Sequence, residues 1–179
     1  MALELRDKFR DTKVPPPNFY ITRYQNPPAK DKEIRLLLNR TFVEEGYTDP
    51  LLAETLFDPR EVRKRGEIIL AQSLSHKLLG MIICAGASNP SFRLAKSGEA
   101  EVQLFAIDPT ARGQGIASAL IKASEEHARL LGLSKIVLST QPTMKAAHKI
   151  YARHGYQRNP DRDWQRNETH FLVYEKLIQ

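Results

Sequence analysis

The hexapeptide RGQGIA, residues 112–117, combines residue types that could bind an anion at the start of a helix. Gly113 and Gly115 leave backbone amides unobstructed where the helix should begin. Such amides have no partner within the helix and lie at the positive end of its dipole, so they bind phosphate oxygens well. Arg112 adds a fixed positive charge beside them. The hexapeptide therefore predicts a cradle for a diphosphate group.

Two better-known phosphate loops fit this segment less well. A nucleoside-triphosphatase loop needs Lys and then Ser or Thr after its last glycine, whereas Gly115 is followed by Ile116 and Ala117. A dinucleotide fingerprint would have a third glycine where Ser118 stands, and the next strand, KIVLST, does not end in the acidic residue that binds a ribose. A plain glycine-containing turn stays open as an alternative if the hexapeptide is considered alone.

The longer run AEVQLFAIDPTARGQGIASALI resembles the coenzyme A-binding segment of the Gcn5-related N-acetyltransferase (GNAT) superfamily. The family pattern is Arg or Gln, two residues, Gly, one residue, and then Gly or Ala. Arg112, Gly115 and Ala117 occupy its three defining positions. The resemblance extends over roughly residues 19 to 177.

A second stretch, AAHKIYARHGY, resembles the later helix of the same family. Ala147, Tyr151 and the pair Gly155-Tyr156 match the alanine, the tyrosine and the glycine-aromatic end of that helix. Met144 stands where the family often has an asparagine, so the side-chain amide contact of that asparagine is expected to be missing. The two stretches together strengthen the assignment.

The resemblance implies an enzyme that transfers an acetyl group from acetyl-CoA directly to a primary amine through a tetrahedral intermediate. In such enzymes the strand before the loop splays from its neighbour and binds the pantetheine arm, and the helix amides hold the pyrophosphate. Acetyl-CoA is thus the implied cosubstrate. The residues implied in its binding are Phe105, Ala106, Ile107, Arg112, Gly113, Gln114, Gly115, Ile116, Ala117, Ser118, His148 and Tyr151.

Two residues are implied in proton transfer, because the acceptor ammonium must lose a proton and the departing thiolate must gain one or be stabilised. Tyr151 matches the family tyrosine that faces the coenzyme sulfur; packing between helix and sheet is the alternative role. Glu101 stands where some family members have their general base, and a solvated carboxylate is the alternative there. Strand alternation predicts that Glu101 shares a face with Gln103, Phe105 and Ile107, opposite Val102, Leu104 and Ala106.

These residues require strands and helices in a fixed order. The patterns predict a strand at FYITRY, a helix over DKEIRLLLNRTFVEEG, a shorter helix between Pro50 and Arg65 interrupted near Asp58-Pro59, and strands at EIILAQSL and KLLGMIICAGA. A polar loop from Asn89 to Gly98 comes next. The strand AEVQLFAID, the helix IASALIKASEEHARLLG with Leu131 on its buried face, the strand KIVLST, the helix MKAAHKIYARHG and the strand THFLVYEKLI complete the order.

This order predicts a mixed α/β fold with helices on the faces of one sheet. The resemblance implies a GNAT-like, mostly antiparallel sheet of about six or seven strands, with helices on both faces and splayed strands at the coenzyme site. KIVLST should run parallel to AEVQLFAID through a right-handed crossover.

Length and composition favour one globular domain. The chain has 179 residues, of which 41% are hydrophobic and 27% charged. Residues 1–17, which end in three prolines, are predicted to form a flexible or peripheral tail, and residues 18–179 the single domain. The sequence shows neither a membrane-length apolar run nor a secretory leader, so a cytoplasmic location is expected. Cys84 lies in an apolar run and is predicted to be a buried structural thiol.

The formal charge of +6 leaves several partners to consider. Basic residues outnumber acidic ones between Lys145 and Arg166, which indicates either a solvated face or a site for a polyphosphate ligand. The alternative functions are a non-catalytic acyl-CoA-binding regulatory domain and a basic nucleic-acid-associated domain. Nucleic acid is disfavoured because no basic stripe with exposed aromatic residues is evident. No membrane partner and no metal are expected, and a homodimer is open.

The acceptor amine is not specified by the sequence. The resemblance implies that residues 31–65, the loop from Asn89 to Gly98 and the segment RNPDRDWQRNE around Trp164 wall the groove opposite the coenzyme. Their mixed charge leaves a small metabolite, an aminoglycoside-like compound, a protein N-terminus and a lysine side chain all open.

Overall fold

The computed structural model describes residues 17–25, 28–91 and 93–178, whose strands form one eight-stranded sheet. The strands are β1 (Phe19–Arg23), β2 (Glu67–Ser73), β3 (Leu78–Gly86), β4 (Glu99–Ile107), β5 (Lys135–Thr140), β6 (Gln157–Arg158), β7 (Trp164–Arg166) and β8 (Thr169–Leu177). The helices are α1 (Pro28–Leu38), α2 (Pro50–Leu56), α3 (Pro59–Arg63), α4 (Ile116–Leu130) and α5 (Lys145–Arg153). The predicted tail, apart from Pro17, lies outside the described residues.

The sheet confirms the mixed, mostly antiparallel arrangement that the resemblance implies. Its strand order is β1-β2-β3-β4-β5-β8-β6. The short strand β7 is not part of this order and also pairs with β8. Neighbours from β1 to β4 are antiparallel, β4 and β5 are parallel as predicted, and β5 and β8 are antiparallel. The short strands β6 and β7 were not predicted, because two or three residues carry too little alternation to be recognised.

Helices cover both faces of the sheet. On one face, buried residues of α4 and the C-terminal end of α5 pack against β2–β5 and β8; Leu120, Ile121 and Tyr151 belong to this cluster. On the other face, α1, α2 and α3 pack against β2, β3 and the end of β4 through residues such as Leu38 and Phe57. Within the described ranges, no helix has both the length and the apolarity needed to cross a membrane.

Cys84 lies in the middle of the first cluster and is fully buried. Burial, followed by the nearby charge of Glu67, raises the pKa of its thiol to about 12. The thiol therefore stays protonated at neutral pH, which agrees with the predicted structural role.

Two helix predictions need correction. The first helix begins at Pro28 rather than at Asp31, because proline is well suited to a first helical turn, and it continues into a π-helical turn at Asn39–Val43. Leu131 was predicted on the buried face of α4 but is 51% exposed, because the helix ends at Leu130.

The predicted interruption at Asp58-Pro59 is confirmed: the Asp58 carboxylate accepts a hydrogen bond from the Arg60 amide at the start of α3.

A β-bulge in β4 overturns the predicted alternation. Gln103 pairs with Ile83 and Ala106 with Met81, so Leu104 and Phe105 together oppose one residue of β3. Leu104 adopts a φ of 45°, in the left-handed region.

The extra residue changes which side chains share a face. Val102 packs in the same cluster as Phe105 and Ile107, whereas Leu104 packs with Ala106 on the opposite face. Glu101 therefore does not share a face with Phe105 and Ile107, and that prediction was wrong.

β4 and β5 separate just before the bulge. Their parallel pairing runs from Glu99 with Lys135 only as far as Val102 with Leu138. Past this point β5 stays paired with β8, and β4 stays paired with β3. The edge of β4 from Gln103 to Ile107 thus faces a gap, which confirms the splayed strands that the resemblance implies.

Candidate active site

The turn between β4 and α4 is held in shape by Asp108. Its buried carboxylate accepts hydrogen bonds from the Thr110 amide at 2.9 Å and from the Thr110 hydroxyl at 2.6 Å. Arg40 Nη1 lies 3.2 Å from the other carboxylate oxygen. Burial alone would raise the pKa of Asp108, but the Thr110 hydrogen bonds and the charges of Lys77 and Arg40 together lower it. The turn is thus anchored by an ionised carboxylate.

The two glycines let the chain enter α4 with its amides exposed. Gly113 and Gly115 have φ angles of 80° and 81°, which side-chain-bearing residues rarely adopt. A Cβ at either position would meet no atom within 4 Å, so the backbone angle and not lack of space requires glycine. The Ala119 amide makes the first bond back, to the Gly115 carbonyl at 3.1 Å. The amides of residues 116–118 precede it and are available to a ligand.

The side chains of the hexapeptide differ in their exposure. Arg112, Gly113, Gln114 and Gly115 are exposed, whereas Ile116 is buried in the core and offers only its backbone amide. The Arg112 guanidinium forms an ion pair with Glu45, from the segment after the π-helical turn. This contact holds the arginine beside the mouth of the turn.

The backbone of β4 presents alternate residues to the gap. The Asp108 amide donates to the Leu79 carbonyl of β3 at 2.8 Å. Because successive amides of a strand point to opposite edges, the amides of Ile107 and Phe105 face the gap and that of Ala106 faces β3. The Ala106 side chain is buried among the α1–α3 residues. The structure thus brings Phe105 and Ile107 to the gap but not Ala106.

Tyr151 lies where the gap meets a groove of about 450 Å³. It is 5% exposed, and its ring centroid is 6.2 Å from that of Phe105 and 5.8 Å from that of Tyr174. Burial raises the pKa of the Tyr151 hydroxyl above its ordinary value, and the neighbouring Tyr174 adds to the effect. The hydroxyl therefore stays protonated at neutral pH and can act as a proton donor.

Glu101 is buried rather than solvated, so the second of its two predicted roles was wrong. Its Oε2 accepts hydrogen bonds from the amides of Arg93, Leu94 and Ala95 at 3.1, 2.7 and 3.1 Å. Its Oε1 accepts one from the side-chain amide of Gln103 at 2.7 Å. The carboxylate therefore fixes the loop before β4, although the residue also borders the groove.

Comparison with known protein families identifies the family of the chain. The sequence pattern of the acetyltransferase (GNAT) family matches residues 32–156, which is well over half of the chain. The chain belongs to this family.

Individual proteins resemble the chain in sequence or in structure. N-acetyltransferase 8 of Homo sapiens is 26% identical over 136 residues, which is 74% of this chain and 55% of that protein. The chain thus spans about half the length of this curated relative. An acetyltransferase structure from Streptococcus agalactiae superposes with a TM-score of 0.70 at 21% identity, covering 89% of this chain and 98% of that one.

A further solved structure contains a ligand. The PaiA N-acetyltransferase from Thermoplasma acidophilum, in complex with coenzyme A, has a TM-score of 0.68 at 11% identity. The match covers 88% of this chain and 99% of that one. At such identity these structures show a shared GNAT fold.

Two histidines of this GNAT chain lie within α5 or directly after it. His148 Nε2 lies 3.0 Å from the Gln141 carbonyl, and its ring contacts that of Tyr174. His154, which sequence reasoning missed, lies 2.9 Å from the Ser118 hydroxyl and so joins the end of α5 to the first turn of α4. Burial is the main cause that lowers the pKa of both imidazoles, so both are neutral at pH 7. Nothing in the spacing of the two residues indicates this contact.

The three segments expected to wall the acceptor side do meet at the groove. Leu56 and Arg65 come from the first segment, Arg93 from the loop and Trp164 from the last. Trp164 stacks on Phe171 with ring centroids 4.1 Å apart and an interplanar angle of 8°. Met144 also borders the groove, and its sulfur lies 3.3 Å from the Thr140 hydroxyl. The arginines had no sequence signal, because residues far apart in the chain supply them.

Proposed function

We propose that this chain is an N-acetyltransferase that transfers an acetyl group from acetyl-CoA directly to a primary amine. The observation that carries the proposal is the course of β4. The strand leaves β5 after Val102, borders the groove at Phe105 and continues into the turn with Arg112. A long cosubstrate with a diphosphate in its middle and a thioester at one end suits this course. The complex of a related fold with coenzyme A supports this assignment.

Each part of the cosubstrate has a candidate partner. The amides of Phe105 and Ile107 would bind the pantetheine arm as an added strand would. The amides of residues 113–118 would hold the pyrophosphate, with Arg112 adding positive charge. Ser118 and His148 already contact His154 and Gln141, so their contribution would come through backbone or ring faces.

The proposed reaction has two steps: the amine attacks the thioester, and the coenzyme thiolate then leaves. The free amine nitrogen attacks the thioester carbonyl carbon, a C–N bond forms, and the oxygen becomes an oxyanion in the tetrahedral intermediate. The intermediate collapses as the C–S bond breaks. Tyr151, whose hydroxyl stays protonated, gives its proton to the leaving sulfur and recovers one from solvent. The amine proton leaves to water.

The geometry supports a positioning role for Glu101 more than a base role. Four donors already occupy its carboxylate oxygens, so these oxygens hold the loop before β4 and the side chain of Gln103 rather than facing an acceptor amine. As a base it would act through water. By fixing residues 93–95, Glu101 would instead set the position of Arg93 beside the groove.

The test joins a binding assay to a turnover assay. Calorimetry should show saturable acetyl-CoA binding that survives moderate salt, and thiol release from acetyl-CoA should accelerate with some members of a panel of primary amines. Tight binding without turnover on any amine would support a non-catalytic acyl-CoA-binding domain instead. Steeply salt-sensitive binding to nucleic acid, without acetyl-CoA binding, would support the other alternative. The single domain over residues 18–179, the cytoplasmic location and a homodimer stay predictions.

A further inference from the structure

Three arginines from different segments border the acceptor half of the groove. Arg65 precedes β2, Arg93 belongs to the loop before β4, and Arg166 ends β7. Among the residues that the structure describes, none of the three forms an ion pair with a carboxylate. Arg63 and Arg162, which lie close to them in sequence, are paired with Asp31 and with Glu99 and Glu175 respectively.

The three guanidiniums are held in place by other contacts. Arg65 Nη2 donates to the Leu56 carbonyl at 3.1 Å. The guanidinium carbon of Arg93 lies 5.6 Å from the centroid of the Trp164 ring, and that of Arg166 lies 5.7 Å from the centroid of the Phe171 ring. Cation–π contacts of this kind orient a guanidinium without neutralising it. Trp164 and Phe171 therefore fix the positive charges of Arg93 and Arg166 at one wall of the groove.

Nearby carboxylates do not cancel this charge. Glu61 borders the groove, but Lys64 Nζ lies 2.6 Å from its Oε1. The four hydrogen-bond donors of Glu101 are neutral amides, so Glu101 offsets at most one of the three guanidinium charges. This end of the groove is thus net positive.

The three cations also affect one another. Burial, followed by the charges of Arg93 and Arg166, lowers the pKa of Arg65, and burial and Arg93 lower that of Arg166. Guanidiniums nevertheless stay protonated at neutral pH, because their ordinary pKa lies above about 12. An anion among them would relieve the repulsion and accept several charge-assisted hydrogen bonds.

We propose that the acceptor amine carries an oxyanionic group, a carboxylate or a phosphonate or phosphate, which Arg65, Arg93 and Arg166 bind. This inference rests on the proposed acetyltransferase function and specifies its substrate class. The anionic group is held at the Trp164 wall, and a short spacer directs the amine towards the end of the groove at Tyr151. Aliphatic amines without an anionic group lack this anchor.

The first experiment compares amines that differ only in their far end. Propylamine, aminobutyrate and aminopropylphosphonate share a three-carbon spacer, and longer and shorter homologues extend the series. The anionic members should show kcat/KM values at least about tenfold higher than their neutral partners, because even one hydrogen bond to a charged group is expected to change binding by about that factor. Equal values for neutral and anionic members would overturn the inference and leave the acetyltransferase assignment intact.

The second experiment changes the arginines. Arg65→Gln, Arg93→Gln and Arg166→Gln should each lower kcat/KM for the anionic amines about tenfold or more and leave acetyl-CoA affinity unchanged. Arg35→Gln, on the exposed face of α1, removes the same charge elsewhere and should have no effect. Arg65→Lys keeps a charge at the most buried of the three positions, and it should retain more activity than Arg65→Gln. Variants that lose no more than Arg35→Gln would contradict the inference.

A third measurement separates failure of the inference from failure of the proposed function. Aminopropylphosphonate is titrated calorimetrically into protein saturated with coenzyme A, so that no turnover is needed. Binding that the arginine variants weaken supports an anion site even if no amine is acetylated, whereas the absence of binding overturns it. Absence of both turnover and acetyl-CoA binding would overturn the acetyltransferase function itself.

Discussion

The two sides of the groove use different parts of the chain. On the side of the gap and the turn, the candidate contacts are backbone amides of β4 and the first turn of α4, all within residues 103–118. On the acceptor side they are the side chains of Arg65, Arg93 and Arg166, which come from three separate segments. A backbone site depends on chain conformation and tolerates many side chains, whereas a side-chain site changes with each substitution. The first side therefore suits a constant cosubstrate, and the second suits an acceptor that can differ among relatives.

Tyr151 lies where the two sides meet, and its variant should have the largest effect. Tyr151→Phe keeps the ring contacts with Phe105 and Tyr174 but removes the proton donor, so turnover should fall about 100-fold at unchanged acetyl-CoA affinity. Steady-state rates and calorimetry measure the two quantities. Tyr156→Phe is the matched control, because its ring packs 5.9 Å from that of Tyr151 and it has no assigned proton-transfer role. Equal rates for Tyr151→Phe and the unmodified chain would leave Tyr151 as a packing residue.

Gly115→Val tests the conformational side of the comparison. A β-branched residue at a φ of 81° is strained by about 1–3 kcal/mol, so the turn should rearrange and acetyl-CoA affinity should fall about tenfold or more. Gly132→Val is a close control, because Gly132 has a φ of 72° and equally open surroundings but lies beyond the other end of α4. Both variants should lose similar free energy of unfolding. A similar loss of acetyl-CoA affinity in both would show that the turn has no special role.

Arg112→Glu should have a smaller effect, because it removes one of several contacts to the diphosphate. The new carboxylate would face both the ligand and Glu45, and acetyl-CoA affinity should fall about tenfold. Glu45→Gln is the informative partner variant, since it frees Arg112 and should leave affinity equal or slightly higher. Calorimetry at two salt concentrations checks both, and unchanged affinity in Arg112→Glu would refute the charged part of the cradle.

The same contrast explains what the sequence could predict. The turn was predictable because Arg112, Gly113 and Gly115 are adjacent, and because left-handed backbone favours glycine. The splayed gap was available only through family resemblance. The bulge was not predictable, because a leucine with positive φ at position 104 gives no local signal, and it reversed the expected face of Glu101. The acceptor wall was anticipated as segments but not as an arginine cluster, since its members meet only after the sheet forms.

Glu101→Gln links the two sides and should have the smallest effect on chemistry. A glutamine cannot accept four hydrogen bonds as a carboxylate does, and its own N–H groups would face the donors of residues 93–95 and Gln103. The free energy of unfolding should therefore fall by about 1–3 kcal/mol, measured by urea denaturation. KM for the acceptor should rise as Arg93 loses its fixed position, while the pH dependence of kcat should keep its shape. Glu126→Gln, exposed on α4, controls for the lost charge. If the acidic limb of the kcat profile disappears instead, Glu101 acts as the base, and the acceptor side supplies chemistry as well as recognition.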